Sequence, residues 1–243
     1  MIKELEDYNW FPSWLRRYQL DFIGAMVAWI HVYKPLIVVI NDILSKYNQK
    51  SVIDICSGSG IPAVYIHRHC SNINHTLLTD KYPHSKVNIT GVSYAPTSID
   101  VLNLEITNSP VYTMYNAFHH FTDAQQVQIV QKFSEQKCNF LIVEMLSPGI
   151  ISLVQVVIAS TIGQLLFTPF IKPFSLGRIL FTYIIPLNIF TVLIDGIISV
   201  FKSKSVKQYK TLLQKISVKN FTIEVKTIKQ LNGNIIYIQG TNN

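Results

Sequence analysis

The chain has 243 residues, which suits one α/β domain carrying an insertion. Only 14% of residues are charged and 49% are hydrophobic, against about 25% charged in an average soluble domain, so the chain carries more apolar surface than a core of this size requires. The net charge is +7, but the lysines are interleaved with ordinary helix and strand residues, as in KSKSVKQYK and VKNFTIEVK, and form no dense basic run of the kind that grips nucleic acid.

In chain order, residues 9 to 47 predict helix. Aromatic and aliphatic residues recur at three and four spacing, and Pro35 breaks the run into two. From 51 to 144 strands alternate with helices. VIDIC is a short buried strand, and IPAVYIHRHC is a helix with Pro62 suited to its first turn. TLLTD is a second strand ending at Asp80, and a weak third strand is expected near 88 to 93. PVYTMYNAF is a fourth strand, TDAQQVQIVQKFSEQ a helix capped by Thr122 or Asp123, and NFLIVE a fifth strand. This alternation predicts a doubly wound, mostly parallel sheet. Residues 145 to 171 then carry no charge, and a second apolar run follows to Ile194. Past 203, SVKQYKTLLQKI predicts an amphipathic helix. FTIEVKTI and NIIYIQG predict two strands turning at Asn232-Gly233.

The organisation that follows is an N-terminal helical segment (1–49), a core (50–145 and 203–243) and an apolar helical insertion (146–202). Length alone would let residues 149 to 171 cross a bilayer. Core sequence on both sides requires an even number of crossings, however, and a hairpin would place Lys172 and Arg178 on the far side, against the positive-inside tendency. Two helices lying on or dipping into the cytoplasmic face of a membrane, roofing a substrate crevice, are therefore expected; burial in an oligomer is the alternative. Three cysteines, Cys56, Cys70 and Cys138, argue for a reducing compartment. The N-terminus MIKELEDYNW has acidic residues and no apolar core of a secretory signal. A cytoplasmic location is expected.

The stretch SVIDICSGSGIPA, residues 51 to 63, runs strand, glycine turn, helix. Gly58, Gly60 and Ala63 match the spacing of dinucleotide sites, and Asp80 stands where an acidic residue accepts a ribose diol. Asp54 argues against a pyrophosphate, which it would repel, and for a cofactor bearing positive charge. DICSGSG resembles motif I of class I S-adenosylmethionine-dependent methyltransferases. LLTD, the loop SYAPTSID ending at Asp100, VYTMYNAFHHFTD and FLIVE resemble that family's later motifs. The whole chain resembles a bacterial branch of the family with an apolar insertion after the fifth strand. That branch's residues here are Trp10-Phe11-Pro12, Leu15-Arg16, Asp21-Phe22, Thr168 to Phe174, Arg178, Tyr183, Pro186, Asp195-Gly196 and Ser199.

The resemblance implies a seven-stranded Rossmann-like sheet with an antiparallel last strand, and S-adenosylmethionine as cofactor. It implies that Asp54, Ser57, Gly58 and Gly60 hold the methionine part, Asp80 the ribose hydroxyls and Asp100 the adenine edge. Cys56, Lys81 and Asn116 are counted among the cofactor-contacting positions; Cys56 by itself reads as small buried packing. His119 and His120, after the fourth strand, are the candidate proton acceptors. No metal is expected: His67, His69 and Cys70 lie close together, but no second group has ligand spacing. The activity implied is methyl transfer to a small-molecule acceptor, a lipophilic one given the insertion. The rivals are an NAD-dependent oxidoreductase and a non-catalytic membrane-associated protein that keeps the cofactor fold.

Overall fold

The computed structural model describes residues 2–83, 87–230 and 234–243; the expected turn at Asn232-Gly233 lies outside the described residues. After a short 3-10 turn at Leu5–Asp7 come α1 (Ser13–Trp29) and α2 (Leu36–Lys46). The core follows with β1 (Ser51–Ile55), α3 (Ile61–His69), β2 (His75–Thr79), β3 (Val92–Tyr94), β4 (Val111–Tyr115), α4 (Asp123–Glu135) and β5 (Phe140–Glu144). The insertion holds α5 (Ile150–Ile158), a π turn at Ala159–Gly163, α6 (Gln164–Phe167), α7 (Leu176–Tyr183) and α8 (Leu187–Lys202). Then α9 (Val206–Leu213), β6 (Phe221–Ile228) and β7 (Ile235–Asn242) complete the chain.

The seven strands form one sheet in the order β3-β2-β1-β4-β5-β7-β6. Pairings among the first five are parallel, and β7 runs antiparallel between β5 and β6. Alternate residues of the central strands feed opposite faces. Val111, Tyr115, Leu141 and Val143 enter one core with Leu36 and Ile40 of α2. Tyr112, Met114, Phe140 and Ile142 enter the other with Phe133 of α4 and Tyr209 of α9. Both central strands are buried throughout, the pattern of a parallel strand covered on two sides. Gly240 of β7 stands opposite Phe140, where a Cβ would lie 2.0 Å from the ring, so this strand position accepts no side chain. A capping box at Thr122 and Gln125 opens α4, and another at Ser205 and Gln208 opens α9.

The insertion departs from the expected pair of helices. Ile150–Phe170 is one helical run of 21 residues with mean hydropathy 2.0, long and apolar enough to cross a membrane, and α7 and α8 meet at a bend of 75°. Its burial is inverted relative to the core. Ser152, Ser160, Gln164, Thr168, Thr182, Asn188, Thr191 and Ser199 point inward, while Ile151, Val154, Ile158, Ile162, Leu166, Leu180, Ile184 and Phe190 are exposed. Several of the inward polar groups bond to one another or to the backbone. Gln164 donates to the Asn188 carbonyl at 3.0 Å, and Asn188 donates to Thr182 Oγ1 at 2.9 Å. Arg178, 2% exposed, donates to Asp21 of α1 at 2.8 Å and to the Ile171 carbonyl at 2.8 Å. The insertion is thus bolted to α1 by buried charge.

Removing one partner of a buried ion pair strands the other. Asp21→Ala should destabilise the protein by about 3–5 kcal/mol, and the double variant Asp21→Ala/Arg178→Met should recover most of that loss. Denaturant unfolding of both variants checks this; additive losses would mean that the pair does not couple the insertion to α1.

Candidate active site at the carboxyl ends of the parallel strands

Sheet order reverses between β1 and β4, so their carboxyl ends open the crevice in which ligands of such sheets bind. The glycine turn after β1 forms its floor. Cys56, Gly58 and Gly60 all have left-handed φ, at 55°, 52° and 71°. At Gly60 a Cβ would lie 2.5 Å from Leu78 Cδ1, so both backbone angle and space require glycine there. Ser57 is the tie to β2: its hydroxyl donates to the Asp54 carbonyl at 2.8 Å and accepts from the Thr79 amide at 3.1 Å.

Asp80 brackets the turn from the end of β2. Its carboxylate accepts from the Gly58 amide at 2.8 Å and from the Tyr82 amide at 2.7 Å. Asp54 is 1% exposed and accepts from Thr113 Oγ1 of β4 at 2.7 Å. Burial pushes its carboxyl up to about 7, against the hydrogen bonds from Thr113 and Ser57. Asp100 caps the 3-10 turn Val101–Asn103 through the Leu102 amide at 3.0 Å and faces Lys81 Nζ at 3.5 Å. The Cys56 thiol is pushed up by burial first, then by Asp80, Asp54, Asp100 and Asp7. Four carboxylates therefore act on one point at the turn, and the thiol stays protonated and unreactive. A floor of this sign favours a cation and opposes a pyrophosphate.

Asn116, at φ 51°, ends β4. It accepts from the Met145 amide at 2.8 Å and donates to the Tyr33 hydroxyl, locking β4, β5 and the N-terminal helices together. A cavity of about 250 Å³ beside Asp80 is lined by Ser13, Arg16, Arg17, Leu20, Lys81, Tyr82 and Pro83. A larger hollow of about 550 Å³ lies between α9 and β6, away from the strand ends. The N-terminal segment closes over the crevice. Arg16 donates to the carbonyls of Glu6 at 3.0 Å and Tyr8 at 2.9 Å and stacks 4.0 Å over the Tyr82 ring, whose hydroxyl meets Asn9 at 2.6 Å.

The two histidines sit under that segment. His119, 3% exposed, holds Glu144 Oε2 at 2.6 Å through Nδ1. His120 holds Asp7 at 3.0 Å through Nδ1. Burial alone would lower the His120 pKa, but Glu4, Asp7 and Glu6 around the ring push it up to about 10. His120 is thus held toward its charged form, which works against its expected role as a base. His67, His69 and Cys70 do not converge: they bond to Thr76, to the Tyr65 carbonyl and to Asn41.

Sequence reasoning missed Glu4, Glu6, Asp7, Glu144 and Lys202, which come from the N-terminus, the end of β5 and the end of α8 and carry no motif spacing. The residues picked out by the bacterial-branch resemblance turn out to be partners. Asp21 pairs with Arg178, Asp195 accepts from the Leu5 amide and from Gln19 at 3.1 Å, and Ser199 donates to Glu4 at 2.8 Å.

Strand order, switch-point crevice and glycine turn define the class I S-adenosylmethionine-dependent methyltransferase fold. No protein-family model matches the chain, and no curated protein matches it. Its fold is similar to that of human N-acetylserotonin methyltransferase in complex with S-adenosylmethionine, with 12% identity, 93% of this chain and 56% of that one covered, and a TM-score of 0.51. Further likenesses are the mitomycin 7-O-methyltransferase (12% identity, 87% and 54% covered, TM-score 0.49) and the plantazolicin methyltransferase with its bound S-adenosylhomocysteine (11%, 94% and 98%, 0.48). The chain spans about half the length of the first two structures.

Gly60→Ala should cost roughly 1–3 kcal/mol for the left-handed backbone alone, with the Leu78 contact adding to it. Denaturant unfolding checks this, and a midpoint equal to wild type would mean that the turn is not the one described.

Proposed function

We propose that this chain transfers a methyl group from S-adenosylmethionine to a lipophilic small molecule at the cytoplasmic face of a membrane. The carrying observation is the glycine turn ringed by Asp54, Asp80, Asp100 and Asp7. S-adenosylmethionine brings a sulfonium and an amino group and no phosphate, so its charge complements this floor. In this reading Asp54, Ser57, Gly58 and Gly60 hold the methionine part, Asp80 the ribose hydroxyls and Asp100 the adenine edge, with Cys56, Lys81 and Asn116 beside them. The cofactor supplies a methyl group that is already electrophilic. The chain's own work is to orient the acceptor and exclude water. His119 and His120 serve that end by holding the N-terminal segment over the crevice. An NAD-dependent oxidoreductase is disfavoured, because a pyrophosphate would face the same carboxylates.

The inverted insertion supports the lipophilic acceptor and the membrane. A soluble lid buries its apolar side; here polar and small residues face inward and aliphatic ones outward, as in helices whose solvent is lipid. An exposed apolar face of this extent marks an interaction surface.

The cofactor reading has a pH signature. A bound cation favours the ionised form of Asp54, and burial holds that carboxyl at about 7. As pH falls below about 7 the carboxyl takes up a proton, and S-adenosylmethionine affinity should fall, approaching tenfold per pH unit. Calorimetry should find this slope in the wild type and a weaker, flat profile in Asp54→Asn. An affinity independent of pH in the wild type, or tight binding of NAD instead, would overturn the assignment.

The membrane reading is tested by flotation. The protein should float with neutral liposomes at about 1 M salt, where the screening length is only about 3 Å. Replacing the exposed Val154, Ile158, Leu165 and Leu166 with glutamine should release it, because each large aliphatic group contributes roughly 1.5–3 kcal/mol on leaving water. A detergent-free oligomer that stays in the aqueous fraction would assign the same face to self-association.

A further inference from the structure

Under the N-terminal segment, two histidines and a glutamate from distant parts of the chain converge. Their donor atoms, one each from Glu4, His119 and His120, all lie within 4.8 Å of one another. We propose that Glu4, His119 and His120 form a site for a divalent transition-metal cation of the zinc type. This inference does not rest on the methyl-transfer reading.

Orientation is the first argument. In metal sites a ligating imidazole usually donates its other N–H to a carboxylate, which fixes the tautomer and turns the free nitrogen toward the metal. Both histidines here have that arrangement. Nδ1 of His119 meets Glu144 at 2.6 Å and Nδ1 of His120 meets Asp7 at 3.0 Å. Each Nε2 is thereby turned toward Glu4.

Spacing is the second. His119 Nε2 lies 3.8 Å from Glu4 Oε1, and His120 Nε2 lies 3.4 Å from Glu4 Oε2. Both are longer than an ordinary N–H···O hydrogen bond. The two nitrogens face the two oxygens of one carboxylate, and with all three donor groups inside 4.8 Å a small side-chain adjustment would bring them onto a tetrahedral ion at about 2.0–2.1 Å. Two imidazole nitrogens and one carboxylate oxygen suit zinc and its neighbours, and three protein ligands leave a fourth position for a small molecule.

Charge is the third. Five carboxylates (Glu4, Glu6, Asp7, Glu144 and Asp195) bear on this cluster, and the fixed cation within it is Lys202, 2.9 Å from Glu4 Oε1. A cluster of that balance draws in positive charge. Next to it, Gln19 gives its amide hydrogen to Asp195, while its own buried Oε1 has no partner among the described residues. Lys202 competes for Glu4, so it should weaken the metal and not help it.

The test uses the full-length protein, stripped with a chelator and dialysed. Titrated with Co²⁺ at pH 7.5, it should bind one equivalent with visible ligand-field absorption, which Zn²⁺ then abolishes. Zn²⁺ should also raise the melting temperature of the wild type. Glu4→Gln and His120→Ala should weaken binding at least 100-fold, and Asp7→Asn, which alters the carboxylate that orients the His120 imidazole and stands 3.8 Å from Lys202, about 10–100-fold. Lys202→Met should bind as tightly as the wild type or more tightly, an outcome that a merely structural salt bridge would not produce. Circular dichroism of each variant separates lost binding from lost fold. The proposal is overturned if wild-type protein binds no stoichiometric metal, if folded Glu4→Gln binds undiminished, or if folded Lys202→Met loses binding.

Discussion

The insertion depends on one buried guanidinium. Arg178 is almost wholly enclosed, yet it meets a carboxylate on α1 and carbonyls at Ile171 and Pro173. An arginine buried without such partners would be prohibitively costly, so the insertion can fold only where α1 supplies Asp21. That requirement fixes the apolar helices against the N-terminal helix and sets their apolar faces outward. Everything proposed for the insertion follows from this inversion, because polar groups that bond inward leave a mostly apolar surface facing out.

A second buried network joins the same parts at the other end. Asp195 and Ser199 of α8 hold the N-terminal segment through Leu5, Gln19 and Glu4, and Lys202 holds Glu4 from the same helix. The segment that covers the crevice is therefore anchored in the insertion. Crevice, cover and apolar surface form one mechanical unit.

The strand-end crevice and the histidine cluster divide the carboxylates between them. Asp54, Asp80 and Asp100 surround the glycine turn, whereas Glu4, Glu6 and Glu144 surround the histidines, and Asp7 acts on both. Asp7 thus links the sign of the crevice to the state of His120.

The sequence by itself determined the sheet, the glycine turn and the acids at the strand ends, because these depend on local rules. Strands and helices declare themselves by period, glycine by the left-handed backbone at Gly58 and Gly60, and Asp54 and Asp80 by their places at strand ends. It also placed the apolar insertion, but read it as two helices and could not tell which side faced out; composition carries no direction. Only tertiary structure decided the rest. Glu4 and Lys202 are separated by most of the chain, and Asp7 and His120 by 113 residues, and no spacing rule joins residues that meet only when a terminal segment folds back. His120 looked like a base because a free imidazole titrates near neutrality. The carboxylates that hold it toward its charged form come from the N-terminus, and their effect exists only at the distances that folding creates.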